Sequence, residues 1–222
     1  MIGFLKRLRN HRDFLNYQKT EGLNVPDAPH FDPASLPFFM DALDKARSYL
    51  EFGSGGSTRE VARRNIPAVS VESDFRLAQA VRAEIGPAAS VQVLDADIGI
   101  TTSWGEPLFN APRYGRPKRW RNYLDPAFVK VRELVHFPDL VLVDGRFRRA
   151  CALETARQAL LAGASTQIFF DDYDGRPFYH PVEDYLGSPK MVGRAAIFSI
   201  AGSLPGWPIV PADVDLALRD FR

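Results

Sequence analysis

Cysteine is almost absent. Cys151 stands alone, so no disulfide can form within the chain and its stability must come from packing. That usage suits a reducing compartment, and a cytoplasmic location is the expectation. Long hydrophobic runs are missing as well: nothing approaches the roughly 20 apolar residues that cross a bilayer. Residues 1–12 carry a short apolar set (Ile2, Phe4, Leu5, Leu8) among Lys6, Arg7, Arg9 and Arg12, without the apolar region and cleavage site of a signal peptide. A packed terminal helix is expected there in preference to a membrane-surface one. Excess charge of one sign is also lacking. With a formal net charge of +1, no overall field favours nucleic acid or an anionic membrane, and neither is an expected partner. What remains is a chain of 222 residues, 45% hydrophobic, enough for one sizeable α/β core.

The most informative stretch is 47–73. Residues 49–52 form a short apolar-rich run that stops at Gly53, Ser54, Gly55 and Gly56. Ser57 and Thr58 offer an N-cap to a helix over 59–64, and a second strand over 68–71 ends on Glu72. Strand, glycine turn, helix, strand and acid is the layout of a nucleotide-binding βαβ unit. Glycines let the backbone approach a ligand, and the free N–H groups of the helix start favour an anionic group. Glu72 lies about 20 residues past the turn, where a carboxylate can accept both ribose hydroxyls.

A dinucleotide fingerprint needs a third glycine where this chain has Thr58. Glu51-x-Gly53-x-Gly55-Gly56 instead resembles the first motif of class I S-adenosylmethionine-dependent methyltransferases, acid-x-Gly-x-Gly-x-Gly, with the last glycine displaced. The resemblance covers about residues 38–202. It implies a three-layer Rossmann-like sandwich built on a mostly parallel seven-stranded sheet with an antiparallel last strand. It further implies that Glu51, Gly53, Ser54, Gly55, Gly56 and Ser57 hold the methionine end, with Glu51 supporting its ammonium group, and that Glu72 holds the ribose. Asp97 and Ile98, after the third strand, would meet the adenine, with Asp95 as the alternative acid; Asp144 would border the cofactor.

Residues 1–46 read as a helical N-terminal extension: helix to Gly22, a connector with Pro26, Pro29, Pro33 and Pro37, then a helix opened by Ser35 that presents Phe39, Leu43 and Ala46. Residues 47–222 form the methyltransferase-like domain. Helix 74–85 and strand 91–94 follow Glu72. Residues 99–124 then break the pattern with three glycines, three prolines, Trp104 and Trp120. A structureless segment this long is usually a functional lid, and a lid-like insertion is expected. Its Arg113, Arg116, Lys118, Arg119 and Arg121 suit either an anionic substrate or a solvated surface. Helix 125–135, strand 140–143, helix 151–161 and strand 166–170 come next. A short helix over 179–186, strands 191–193 and 195–200 and a charged tail over 213–222 complete the chain.

Asp144, Asp171 and Asp172 end neighbouring strands and should meet at one rim, where they repel unless a cation or arginine neutralises them. This arrangement resembles the metal-dependent O-methyltransferases of the catechol type, which implies a cation held by Asp144, Asp171 and Asp172; oxygen ligands suit Mg²⁺ or Ca²⁺. The lysine base of those enzymes is absent, since Arg146, Phe147, Arg148 and Arg149 occupy its region. Asp-Gly-Arg also resembles the plant polysaccharide O-methyltransferases acting on glucuronic acid side chains, which implies a substrate carboxylate on Arg146, with Arg148 beside it. Either arginine alternatively neutralises the acids. Asp144 and His180 are the candidate catalytic groups, with His180 as general base. The expected activity is methyl transfer to oxygen of a small molecule or sugar acid. An NAD-dependent oxidoreductase and a non-catalytic nucleotide-binding protein are the alternatives.

Overall fold

The computed structural model describes residues 2–20, 22–87 and 90–222, and the side chains of residues 2–4 are not described. The side chains of Ile2 and Phe4, part of the expected apolar set, therefore lie outside what is described. Helices are α1 (Ile2–Thr20), α2 (Ser35–Lys45), α3 (Gly56–Arg63), α4 (Phe75–Ile85), α5 (Arg116–Trp120), α6 (Asp125–Val131), α7 (Arg148–Leu161), α8 (Glu183–Leu186) and α9 (Pro211–Ala217). Strands are β1 (Tyr49–Phe52), β2 (Ala68–Glu72), β3 (Val91–Asp95), β4 (Leu140–Val143), β5 (Thr166–Phe170), β6 (Lys190–Val192) and β7 (Ala195–Ile200). No helix among the described residues is long and apolar enough to cross a membrane.

The seven strands run in the order β3-β2-β1-β4-β5-β7-β6, and β7 is antiparallel to both of its neighbours. A dinucleotide-binding sheet runs 3-2-1-4-5-6 instead. The β7 strand inserted between β5 and β6 therefore sets that alternative aside at the level of fold. Strands β1, β2 and β4 are buried along their whole length, as expected where helices cover both faces of a parallel sheet.

The pleat sorts side chains between two cores. Leu50, Phe52, Val141, Val143, Ile168 and Phe170 pack with α6, α7 and α9 on one face. Tyr49, Leu140, Leu142 and Phe169 pack with α2, α3 and α4 on the other. Phe39 and Leu43 of α2 are fully buried in that second core, so α2 is part of the helical layer over the sheet. Helix α1 lies further out. Gln18 donates to Asp74 at 2.7 Å, and Arg7 donates to the Leu108 carbonyl at 3.2 Å.

Three expectations need correction. The charged tail is a packed helix: Val214, Ala217 and Leu218 of the α9 region are buried. The carbonyls of Phe221 and Arg222 accept from the N–H groups of Phe147 and Arg148, at 2.9 Å each. Those bonds satisfy donors that a helix start leaves open, which is why α7 begins at Arg148, earlier than apolar spacing indicates. The supposed lid is also only half loop. Trp120, Tyr123 and Leu124 are buried, and Trp120 and Tyr123 pack on Phe147 at ring separations of 5.4 and 5.7 Å. Finally, α3 starts at Gly56 with Gly55 as its N-cap, so Ser57 and Thr58 lie within its first turn, and Thr58 caps it only by accepting the Gly55 N–H at 2.9 Å.

Candidate functional site

Strand order reverses between β1 and β4, and in open α/β sheets ligands bind where that reversal opens a crevice. Here the two strand ends touch. The Asp144 N–H donates to the Phe52 carbonyl at 3.0 Å. A Cβ on Gly53 (φ +106) would stand 2.8 Å from the Gly145 nitrogen, and one on Gly145 would stand 2.0 Å from the Tyr123 hydroxyl. Only glycine fits at either place. A Cβ on Gly56 would run into the Ala28 carbonyl of the connector, whereas one on Gly55 would meet nothing within 4 Å. Gly55 is thus the open point of the loop.

Glu51 anchors this loop from beneath. It is the register partner of Ser70 on β2, and the pleat sends both side chains towards α3. The Glu51 carboxylate accepts from Tyr49 at 3.0 Å, Ser57 at 2.6 Å, Ser70 at 2.6 Å and the Thr58 hydroxyl. Thr58 in turn accepts from the Gly55 N–H at 2.9 Å. Burial pushes the Glu51 carboxyl above its usual range, partly offset by its hydroxyl donors. Expected as a support for a ligand ammonium group, Glu51 is instead fully buried, with hydroxyls of this chain on both oxygens. Ser54 also bonds inward, its hydroxyl 2.6 Å from that of Ser70.

Glu72 ends β2 beside the loop. Its carboxylate accepts backbone N–H groups from Ser54 at 3.2 Å, Ser73 at 2.7 Å and Asp74 at 2.8 Å. Burial pushes it up to about 7 despite those donors. Over it lies the turn Ser103–Gly105, where a Cβ on Gly105 would come within 3.4 Å of Glu72. Asp97 is exposed and takes Arg119 through both oxygens, the shortest contact being 2.6 Å. A surface pair of this kind contributes at most about 1 kcal/mol, so a ligand can displace it. Ile98 buries its side chain, and its N–H donates to the Ala96 carbonyl at 2.9 Å. Asp95, the alternative acid, is exposed at the end of β3.

Asp144, Asp171 and Asp172 do meet, with ligand oxygens all within 4.8 Å of one another. Three arginines pair with them. Arg148, buried, reaches Asp144 at 3.0 Å and Asp172 at 3.8 Å, and donates to the Asp171 carbonyl at 2.8 Å. Arg194 grips Asp171 through two nitrogens at 2.8 and 3.2 Å and stands 3.0 Å from Asp172. Arg176 reaches Asp172 at 2.8 Å. Three carboxylates are thereby matched by three guanidinium groups. A divalent ion added here would face charges of its own sign, at about 4 kcal/mol per unit pair 4 Å apart near a surface. The residues present do not fit Mg²⁺ or Ca²⁺. Asp144 keeps one oxygen without a hydrogen bond among the described residues. Burial, with Asp171 and Asp172 adding to it against the pull of Arg148, raises the carboxyl to about 6.

Arg148 is therefore committed to the acids. Arg146 is not: among the described residues its Nε is buried without a partner, and its nearest acid is Glu106 of the loop, at 3.7 Å. His180 is exposed and stacks on Tyr173 at 5.3 Å. His136 lies at the opposite end of the sheet, its carbonyl accepting from Ser48 ahead of β1. Sequence reasoning missed Tyr123, Glu106, Arg176 and Arg194. The one local signal for Arg194 was its place after Gly193 in the tight β6–β7 turn.

No protein-family model and no curated protein matches the chain. Among solved structures it is similar to a methyltransferase-like protein from Silicibacter pomeroyi. The two are 34% identical over 88% of this chain and 100% of that one, with a TM-score of 0.67. It is also similar to a T. thermophilus 16S rRNA methyltransferase solved with AdoMet and guanosine, at 16% identity over 78% of this chain and 40% of that one, with a TM-score of 0.36. Sheet order, glycine loop and the first of these relatives agree: the chain belongs to the class I S-adenosylmethionine-dependent methyltransferases.

Proposed function

We propose that the chain methylates an oxygen of a small anionic molecule, a sugar acid being one that suits the site. When bound, S-adenosylmethionine supplies a methyl group on a sulfonium sulfur, open to displacement by an oxygen nucleophile. The backbone of residues 53–56 would hold the methionine end, with Ser57 in the helix turn behind it. Glu72 would accept the ribose hydroxyls, and Asp97 and Ile98 would border the adenine. Asp144 would take the proton of the acceptor hydroxyl on its free oxygen, and Arg146 would pair with the acceptor's anionic group. His180, exposed and stacked on Tyr173, is not needed as a base.

One observation carries this reading: the Asp144–Phe52 backbone bond brings a carboxylate with a free oxygen to the glycine loop. A group near 6 is ionised at neutral pH yet still basic enough to accept a proton. The test is labelled-methyl transfer to paired acceptors, uronic or hydroxy acids against their neutral counterparts. Asp144→Asn should lower kcat by roughly 10²- to 10⁴-fold and leave S-adenosylhomocysteine affinity unchanged. Equal kcat in the variant removes Asp144 as the base. Transfer confined to neutral acceptors removes the anionic substrate.

A further inference from the structure

The oxygens of Asp144, Asp171 and Asp172 have the closeness of a cation site, yet a side chain of this protein lies among them. We infer that the Arg194 guanidinium occupies the place of a divalent cation, so that the rim is neutralised from within and the enzyme works without a metal. The inference holds whichever acceptor is methylated, because it concerns how the rim is built.

Arg194 bridges two of the three acids. It bonds both oxygens of Asp171, a side chain only 1% exposed, and stands 3.0 Å from Asp172. A planar fork matches paired carboxylates in a way that a lysine ammonium does not. The fork is held from behind as well. The Arg194 N–H donates to Asp32 at 3.0 Å, and its Nη2 donates to the His30 carbonyl at 2.5 Å. Gly193 (φ +55) makes this possible, because a Cβ there would stand 2.1 Å from an Asp32 oxygen. The connector and the β6–β7 turn thus aim one guanidinium into the cluster. Unlike a metal, it offers no open coordination position to acidify a substrate hydroxyl. Proton removal is left to a carboxylate, and Asp144 has the free oxygen.

The experiment is thermal melting of the full chain with Mg²⁺, Ca²⁺, Mn²⁺ or chelator, compared with Arg194→Ala and with Arg194→Ala/Asp171→Asn. The wild type should melt at one temperature throughout. Arg194→Ala should melt lower and recover with added cation by mass action, and the double variant should lose that recovery. A wild-type melting temperature that rises with cation overturns the inference, as does an alanine variant indifferent to cation. Should that variant not fold, Mn²⁺ titration of the wild type decides: no binding at the rim supports the inference, and binding abolished by Asp171→Asn overturns it.

Discussion

The backbone N–H of Ser54 donates to the Glu72 carboxylate at 3.2 Å, joining the glycine loop to the acid that ends β2. The bond has a consequence for pH. Burial holds Glu72 near 7, whereas an unfolded glutamate titrates at about 4.3. Between those values the folded chain holds a proton that the unfolded chain has released. Stability from this group is therefore full below about pH 4.3 and falls as pH rises to about 7. Relative to Glu72→Gln, the wild type should lose on the order of 3 kcal/mol across that window, read by urea unfolding at its two ends. Ribose hydroxyls donate to the ionised form, so S-adenosylhomocysteine affinity should move the opposite way, tightening about tenfold per pH unit up to about 7. A wild-type-minus-variant difference that stays flat with pH would mean that Glu72 titrates normally.

The three glycines of the loop should respond differently to the same added methyl. Gly53→Ala forces a positive φ on alanine against Gly145, and Gly56→Ala drives Cβ into the Ala28 carbonyl. Both should destabilise the chain by about 1–3 kcal/mol or more. Gly55→Ala meets open space in extended backbone, so stability should change by less than about 0.5 kcal/mol. Its methyl would, however, fill ligand space, and S-adenosylhomocysteine should bind about tenfold more weakly or worse. Gly55→Ala with full affinity would move the cofactor off this loop.

Residues 99–115 are the part of the insertion outside α5 and the buried Trp120, Tyr123 and Leu124, and the lid expectation falls on them. Trp104 is 83% exposed at φ 61, and the adjoining Gly105 closes on Ser73 and Glu72. A ligand on Glu72 must displace or engage that turn. Tryptic cleavage after exposed Arg113 should slow when S-adenosylhomocysteine is added. Identical rates would leave the segment a surface insertion.

What could be read from the sequence was what is encoded locally. Strands β1, β4, β5 and β7 lie where their apolar runs put them, and the glycine loop and Glu72 stand in sequence order. Long-range pairing was hidden. Nothing near Asp171 announces Arg194, which sits 23 residues on across an antiparallel hairpin. Nor does the charged appearance of residues 213–222 show that Val214, Ala217 and Leu218 meet α7. Ser70 looks like an interruption of an apolar strand until its register with Glu51 is known.

Arg146 tests whether the acceptor is anionic. Among the described residues its Nε is buried without a partner and its nearest acid is 3.7 Å away on a surface loop, so the guanidinium is desolvated but poorly paired. An acceptor carboxylate would complete it through a bidentate contact. Losing a hydrogen bond to a charged group costs about 1.5–3 kcal/mol, so Arg146→Ala should raise KM for an anionic acceptor roughly 10- to 100-fold. Neutral acceptors should keep their KM, and S-adenosylhomocysteine should keep its affinity. Arg146→Lys should recover only part of the loss, because an ammonium group cannot make the planar double contact. Glu106→Gln removes the competing acid and should lower KM for the anion. A KM that rises equally for anionic and neutral acceptors would make Arg146 a support of the β4 loop, where its N–H already meets the Tyr123 hydroxyl at 3.3 Å.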